Sequence, residues 1–125
     1  MRIIVADDDV DGAEAMAMLL SMDGHEVRCT GDGGQALALT SEFNPHVLLV
    51  DLSMRGVTGI DVASGLKSDP RRAHMLMIAV TGWGTDEKRA EAFTAGFDHF
   101  CLKPTDVETV ARLIADASAA GVFAD

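Results

Sequence analysis

Residues 47 to 50 read Val-Leu-Leu-Val, an unbroken apolar run that stops abruptly at Asp51 and passes into Leu52-Ser53-Met54-Arg55-Gly56. Asn44-Pro45 bounds it in front. Four consecutive apolar residues leave no polar face, so the run reads as a strand covered on both sides, the kind found in the middle of a parallel sheet. Asp51 then falls at the carboxyl end of that strand, where open α/β sheets collect ligands and chemistry. By itself such an Asp could equally well cap a loop or a helix.

The rest of the chain repeats the pattern. Ile3-Ile4-Val5-Ala6 is a second short apolar run, and it ends in Asp7, Asp8 and Asp9. Asp9 or Asp11 can cap the helix that follows, with Met16, Leu19, Leu20 and Met22 at helical spacing up to Gly24. Residues 25 to 30 alternate polar and apolar like a half-exposed edge strand. Asp32-Gly33-Gly34-Gln35 starts a second helix with Gln35 at the capping-box position, and Asn44-Pro45 stops it. Beyond Asp51, Thr58 can cap a helix carrying Ile60, Val62, Ala63 and Leu66 up to Asp69-Pro70. Met75 to Val80 is the next buried strand and runs into Thr81. Asp86 and Glu87 suit the first turn of a helix that Gly96 closes. Residues 99 to 102 form a last strand ending at Lys103-Pro104, and Thr105-Asp106-Val107-Glu108 reads as a capping box before a final amphipathic helix. Five strands alternating with five helices predict a parallel sheet wrapped on both faces by right-handed crossovers.

Size and charge narrow the function. The 125 residues predict one domain with a core that needs no metal or disulfide staple. Twenty acidic against ten basic residues give a net charge of -10, which disfavours direct contact with nucleic acid or anionic lipid and suits a cation or a basic protein surface. The opening apolar run is too short for a signal peptide and none approaches a membrane span, so the expected location is cytoplasmic. Cys29 and Cys101 have no Cys-x-x-Cys spacing and read as buried free thiols. The four histidines share no ligand spacing, and the methionines at helix and strand positions read as core.

Four strands therefore end in a polar residue on one rim: Asp7-Asp8, Asp51, Thr81 and Lys103. Converging carboxylates stay ionised only with a cation or a Lys among them. Mg²⁺ fits, since it takes hard oxygen ligands from one or two carboxylates and keeps several waters. Such a cluster has what phosphoryl transfer onto a carboxylate requires, namely in-line positioning and neutralisation of the equatorial oxygens. In this reading Asp51 is the nucleophile, Asp8 a direct metal ligand, and Asp7 a ligand or an acid just behind one. Lys103 and Thr81 bind phosphoryl oxygens, and the Ser53 backbone carbonyl completes the metal shell.

With these residues the chain resembles the receiver domain of two-component response regulators over nearly its whole length. Asp7-Asp8, Asp51, Thr81 and Lys103-Pro104 match in kind and in spacing, Asp51 and Thr81 being 30 residues apart and Thr81 and Lys103 being 22. The resemblance implies a flavodoxin-like fold, a doubly wound (βα)5 domain with sheet order 2-1-3-4-5. It implies a sensor histidine kinase or histidine phosphotransfer protein as donor to Asp51, Mg²⁺ as cofactor, and a cis Lys103-Pro104 bond. It further implies a downstream protein target reached through the fourth helix, fifth strand and fifth helix, with Thr81 and Phe100 as switch residues, and it leaves room for a phosphorylation-dependent dimer. The implied order puts Cys29 and Cys101 on opposite edges, about 19 Å apart, too far to bridge, since bridged Cα atoms lie within about 7 Å.

Two positions depart from the family's habit. Arg55 stands where Pro is usual and Thr58 where an Asp often precedes the Gly; Arg55 is either a solvated loop residue or a cation contacting the cluster or the phosphoryl donor. Trp83 is either a partly buried loop anchor or a shield against water. Phe100 lacks the hydroxyl that would lock it by a hydrogen bond, so core filling competes with switching. The enzyme alternative, a haloacid-dehalogenase-like phosphatase, wants a second Asp where Ser53 stands. A phosphorylation-independent receiver-like adaptor is the non-enzymatic alternative. A phosphoacceptor would catalyse only its own phosphorylation and dephosphorylation. Because no output domain fits in 125 residues, the expectation is a stand-alone receiver or one cut from a larger protein.

Overall fold

A computed structural model describes residues 1–124. In chain order the elements are β1 (Arg2–Ala6), α1 (Val10–Met22), β2 (Glu26–Thr30), α2 (Gly33–Phe43), β3 (Val47–Asp51), α3 (Gly59–Leu66), a short 3-10 helix (Pro70–His74), β4 (Leu76–Thr81), α4 (Asp86–Ala95), β5 (His99–Leu102) and α5 (Val107–Ala119). All strand pairs are parallel and the sheet order is β2-β1-β3-β4-β5, the doubly wound, flavodoxin-like arrangement that the resemblance implies. Every residue of β3 and β4 is buried, as their unbroken apolar runs require.

Side-chain alternation divides the core into two layers. Ile3, Val5, Leu49, Ile78 and Val80 pack under Ala13 and Leu20 of α1 and under Val110, Ile114 and Ala117 of α5. Ile4, Leu48, Val50, Met77 and Ala79 face the other way, against α2, α3 and α4 through Ala36, Phe43, Val62, Leu66, Ala92 and Ala95. Each fully buried aliphatic side chain contributes roughly 1.5–3 kcal/mol relative to exposure. Parallel register then fixes where the strands stop: Asp51 lies beside Val80, and Thr81 beside Leu102.

Asp9, Asp32, Thr58, Thr85 and Asp106 cap the five helices, each accepting a backbone N–H three residues on. Asp9, not Asp11, caps α1. Thr58 and Asp61 form a reciprocal capping box. Two expected boxes differ. Asp106 caps α5 because the Thr105 hydroxyl donates instead to the Leu102 carbonyl at 3.1 Å. Gln35 does not reach back to Asp32, since its side-chain oxygen pairs with the Thr30 hydroxyl, which itself accepts the Asp32 N–H.

Other expectations are corrected by which surfaces the fold covers. Cys29 is exposed, because β2 is an edge strand with most of its residues open to solvent; Cys101 is half-buried, and both thiols are free, on opposite edges of the sheet. Met18 and Met22 are 62% and 77% exposed and Leu19 is also exposed, leaving Ala13 and Leu20 as the buried residues of α1. Only the methionines nearer the sheet, Met54, Met75 and Met77, are core. The sequence pattern does not predict the 3-10 helix at Pro70–His74. Asp69 caps it and pairs with Arg71 at 2.7 Å, and these bonds hold the Asp69 carboxyl down at about 2.

Candidate functional site

The carboxyl ends of β1, β3, β4 and β5 converge on one rim, as the apolar runs predict. Asp51 is the last residue of β3 and is 1% exposed. Its backbone is fixed on the far side by Leu52, whose N–H donates to the Val80 carbonyl at 3.0 Å. Asp7 follows β1 directly, tied by its own N–H to the Thr30 carbonyl at 2.9 Å. Lys103 follows β5, and its N–H donates to the Thr81 carbonyl at 2.8 Å. Each of these side chains thus sits at the last ladder bond of a strand, buried for β3 and half-buried for β5, a rigid mounting for a site.

Carboxylate oxygens of Asp7, Asp8 and Asp51 all lie within 4.8 Å of one another. The Lys103 ammonium reaches Asp7 Oδ2 at 2.8 Å and Asp51 Oδ2 at 3.2 Å. Burial opposes the charge on Lys103, but hydrogen bonds and Coulomb attraction from Asp7 and Asp51 outweigh it and hold its pKa above the ordinary lysine range. The remaining oxygens differ in what they touch. Asp51 Oδ1 accepts the Ser53 N–H at 2.9 Å, and Asp7 Oδ1 accepts the Asp9 N–H at 2.9 Å. Asp8 is exposed and, among the described residues, makes no hydrogen bond or ion pair through its side chain. Thr81 Oγ1 is buried and accepts the Trp83 N–H at 3.1 Å, which leaves its hydroxyl proton to donate elsewhere.

The loop after β3 gives a role to a residue that the sequence pattern does not single out. Gly59 is the first residue of α3, where a Cβ would lie 2.6 Å from the Asp51 carbonyl oxygen and 2.9 Å from Leu52 Cα. Only glycine lets the helix start so close to the acidic strand end. The Lys103-Pro104 bond is cis. Arg55 is an exposed loop residue. Trp83 is 72% exposed, so it is no buried anchor. Phe100 is half-buried against the α2–α3–α4 core layer.

Residues 3–115 match the response regulator receiver domain family. The chain belongs to it. This receiver domain is 31% identical over 107 residues to the DNA-binding dual master transcriptional regulator RpaA of Synechocystis sp., covering 86% of this chain and 44% of that one. It is 35% identical over 113 residues to the DNA-binding response regulator MtrA of Mycobacterium tuberculosis, covering 90% and 48%. The chain therefore spans about half the length of these two relatives. Among solved structures, a response regulator signal receiver domain from Bermanella marisrubri superposes with a TM-score of 0.79 at 31% identity, covering 92% of this chain and 95% of that one. A CheY-like receiver domain protein from Methanospirillum hungatei shares the fold with a TM-score of 0.86 at 24% identity, covering 95% and 94%. No helix among the described residues is long and apolar enough to cross a membrane.

Proposed function

We propose that residues 1–125 act as one phosphoacceptor unit, taking a phosphoryl group onto Asp51 from a sensor histidine kinase or histidine phosphotransfer protein. The observation that carries this reading is the Lys103 ammonium set between Asp7 and Asp51, with Asp8 alongside. A carboxylate attacks phosphorus only if charge on the transferring group is neutralised and the nucleophile is held in line. The Ser53 N–H fixes one Asp51 oxygen and Lys103 holds the other. Lys103 and the spare Thr81 hydroxyl proton would receive the phosphoryl oxygens. Membership of the family is not membership of an enzyme class, and the reading here is that the chain turns over no external substrate, catalysing only the gain and loss of its own aspartyl phosphate.

The donor set fits Mg²⁺: three carboxylates converge, all hard oxygen ligands, and one of them, Asp8, has no other partner among the described residues. Asp8 and Asp51 would hold the ion directly, with Asp7 beside them and the Ser53 carbonyl completing the shell. When bound it would supply positive charge to the phosphoryl oxygens. Thr81 and Phe100 are the side chains assigned to relay the change toward a downstream protein target, in a domain whose charge of -10 disfavours direct contact with nucleic acid. Partner contact would place it in the cytoplasm.

Incubation with acetyl phosphate and Mg²⁺, followed by intact mass measurement, tests the reading. The expected result is the gain of one phosphate, lost in Asp51→Asn and lost on chelation of the metal. Phosphate gain that persists in Asp51→Asn overturns it.

A further inference from the structure

A polar cavity lies at the end of the sheet opposite the acidic rim, outside the amino-terminal ends of β1, β3 and β4. It measures about 270 Å³ and is lined by Arg2, Asn44, His46, Arg71, His74 and Phe123 among others. On a chain carrying -10, four of these are basic side chains and none is a carboxylate.

The hydrogen bonds already made in the wall show what it can still bind. Arg71 is largely spent, paired with Asp69 and donating to Asn44 Oδ1 at 2.9 Å. Arg2 donates only through Nε, to the Asn44 carbonyl at 2.8 Å, and no carboxylate among the described residues is within ion-pair distance of it. Among the described residues its two terminal nitrogens therefore have no acceptor. His46 Nδ1 accepts the Arg2 N–H at 3.0 Å, so the neutral ring carries its proton on Nε2, a second donor without a partner among the described residues. The exposed ring of His74 adds a third group without one. The acceptors of Asn44, by contrast, are both occupied.

The geometry points to an oxyanion-binding pocket at this end of the domain, taking a small phosphate monoester or carboxylate on Arg2, His46 and His74. Donors in excess of acceptors call for an acceptor-rich ligand, and a planar guanidinium with free terminal nitrogens matches a phosphate or carboxylate edge with two parallel hydrogen bonds. The cavity is too small for more than a small organic anion. It is separate from the acidic rim, which lies at the other ends of the same strands.

Titration with inorganic phosphate and, separately, with succinate, followed through backbone amide shifts at ionic strength held constant with NaCl, tests the pocket. Saturating shifts at Arg2, Asn44 and His46 are expected with at least one probe, and the tighter probe identifies the anion class. Arg2→Gln should weaken that binding by about tenfold or more, the worth of charge-assisted hydrogen bonds, and His74→Gln should weaken it less. Lys103→Ala should leave it unchanged, which separates this site from phosphate held at the acidic rim. His74 is exposed, so its variant decides the matter if Arg2→Gln folds poorly. Linear shifts matched by NaCl alone, or wild-type titration in both variants, overturn the proposal.

Discussion

Lys103 Nζ stands 2.8 Å from Asp7 and 3.2 Å from Asp51, so a single ammonium links the ends of β1, β3 and β5. Replacing it leaves two carboxylates, both largely buried, without their shared counter-charge. Lys103→Met should slow phosphorylation of Asp51 by acetyl phosphate about ten- to a hundredfold, the worth of one hydrogen bond to a charged group. The same change should tighten Mg²⁺ binding, because a competing cation has gone. Calorimetric titration with Mg²⁺ beside phosphorylation kinetics checks both, and a variant that binds Mg²⁺ more weakly would contradict the placement of Lys103.

Asp8 is the carboxylate of the cluster with the fewest protein partners, exposed beside Asp7 and Asp51. Without a divalent cation it adds like-charge repulsion and little else. Asp8→Asn should therefore melt higher than wild type in the presence of a chelator. It should also bind Mg²⁺ at least about tenfold more weakly, since even groups behind a ligand carry that much. Thermal melts with and without Mg²⁺ read out the trade, and the two curves should converge in the variant.

Much of this site is legible in the sequence because buried parallel strands are nearly all apolar, so a polar residue that ends one is conspicuous. Asp51 and Thr81 stand out for that reason, Lys103 follows the less buried β5, and parallel register brings all three to one rim. The sheet order came with the family resemblance, since apolar runs say nothing about which strand neighbours which. Periodicity also says which residues share a stripe, but not how much of the stripe is covered. Leu19 and Met22 follow helical spacing and are nonetheless exposed, because Ala13 and Leu20, with Met16 partly buried beside them, make the contact of α1 with the core. Cys29 is apolar in a strand yet exposed, because β2 has a neighbour on one side only. Gly59 gave no sign of its role, since close approach of a helix start to a strand end is a tertiary fact. The Pro70–His74 turn is too short for a period to show.

Gly59 makes that tertiary fact testable. A methyl group there would meet the Asp51 carbonyl oxygen at 2.6 Å and Leu52 Cα at 2.9 Å, and backbone atoms of a buried strand cannot yield as a side-chain end can. Gly59→Ala should cost about 1–3 kcal/mol of stability, the usual cost of overfilling a packed site. It should also slow phosphorylation, because relief of the clash displaces the strand end that carries the acceptor. Urea denaturation measures the first effect. Gly82→Ala serves as the control, since no atom beyond its own chain neighbours lies within 4 Å of a Cβ there.

His46 gives the fold a pH dependence near neutrality. Burial, with the Arg2 charge and the chain's terminal ammonium close by, holds its pKa below the ordinary histidine value, and its Nδ1 accepts the Arg2 N–H at the start of β1. A histidine whose folded pKa is depressed favours the folded state in its neutral form. Its contribution is present in full above the unfolded pKa of about 6.5 and is lost as pH falls through the folded value. Wild type should therefore show a lower urea midpoint at about pH 5.5 than at about pH 7.5. His46→Gln keeps an acceptor without a titrating ring, so its midpoint should change less over that interval. A residual slope is expected from His25, whose pKa burial and the same terminal ammonium also lower. Equal slopes in the two proteins would show that His46 does not govern the acid side of the stability curve.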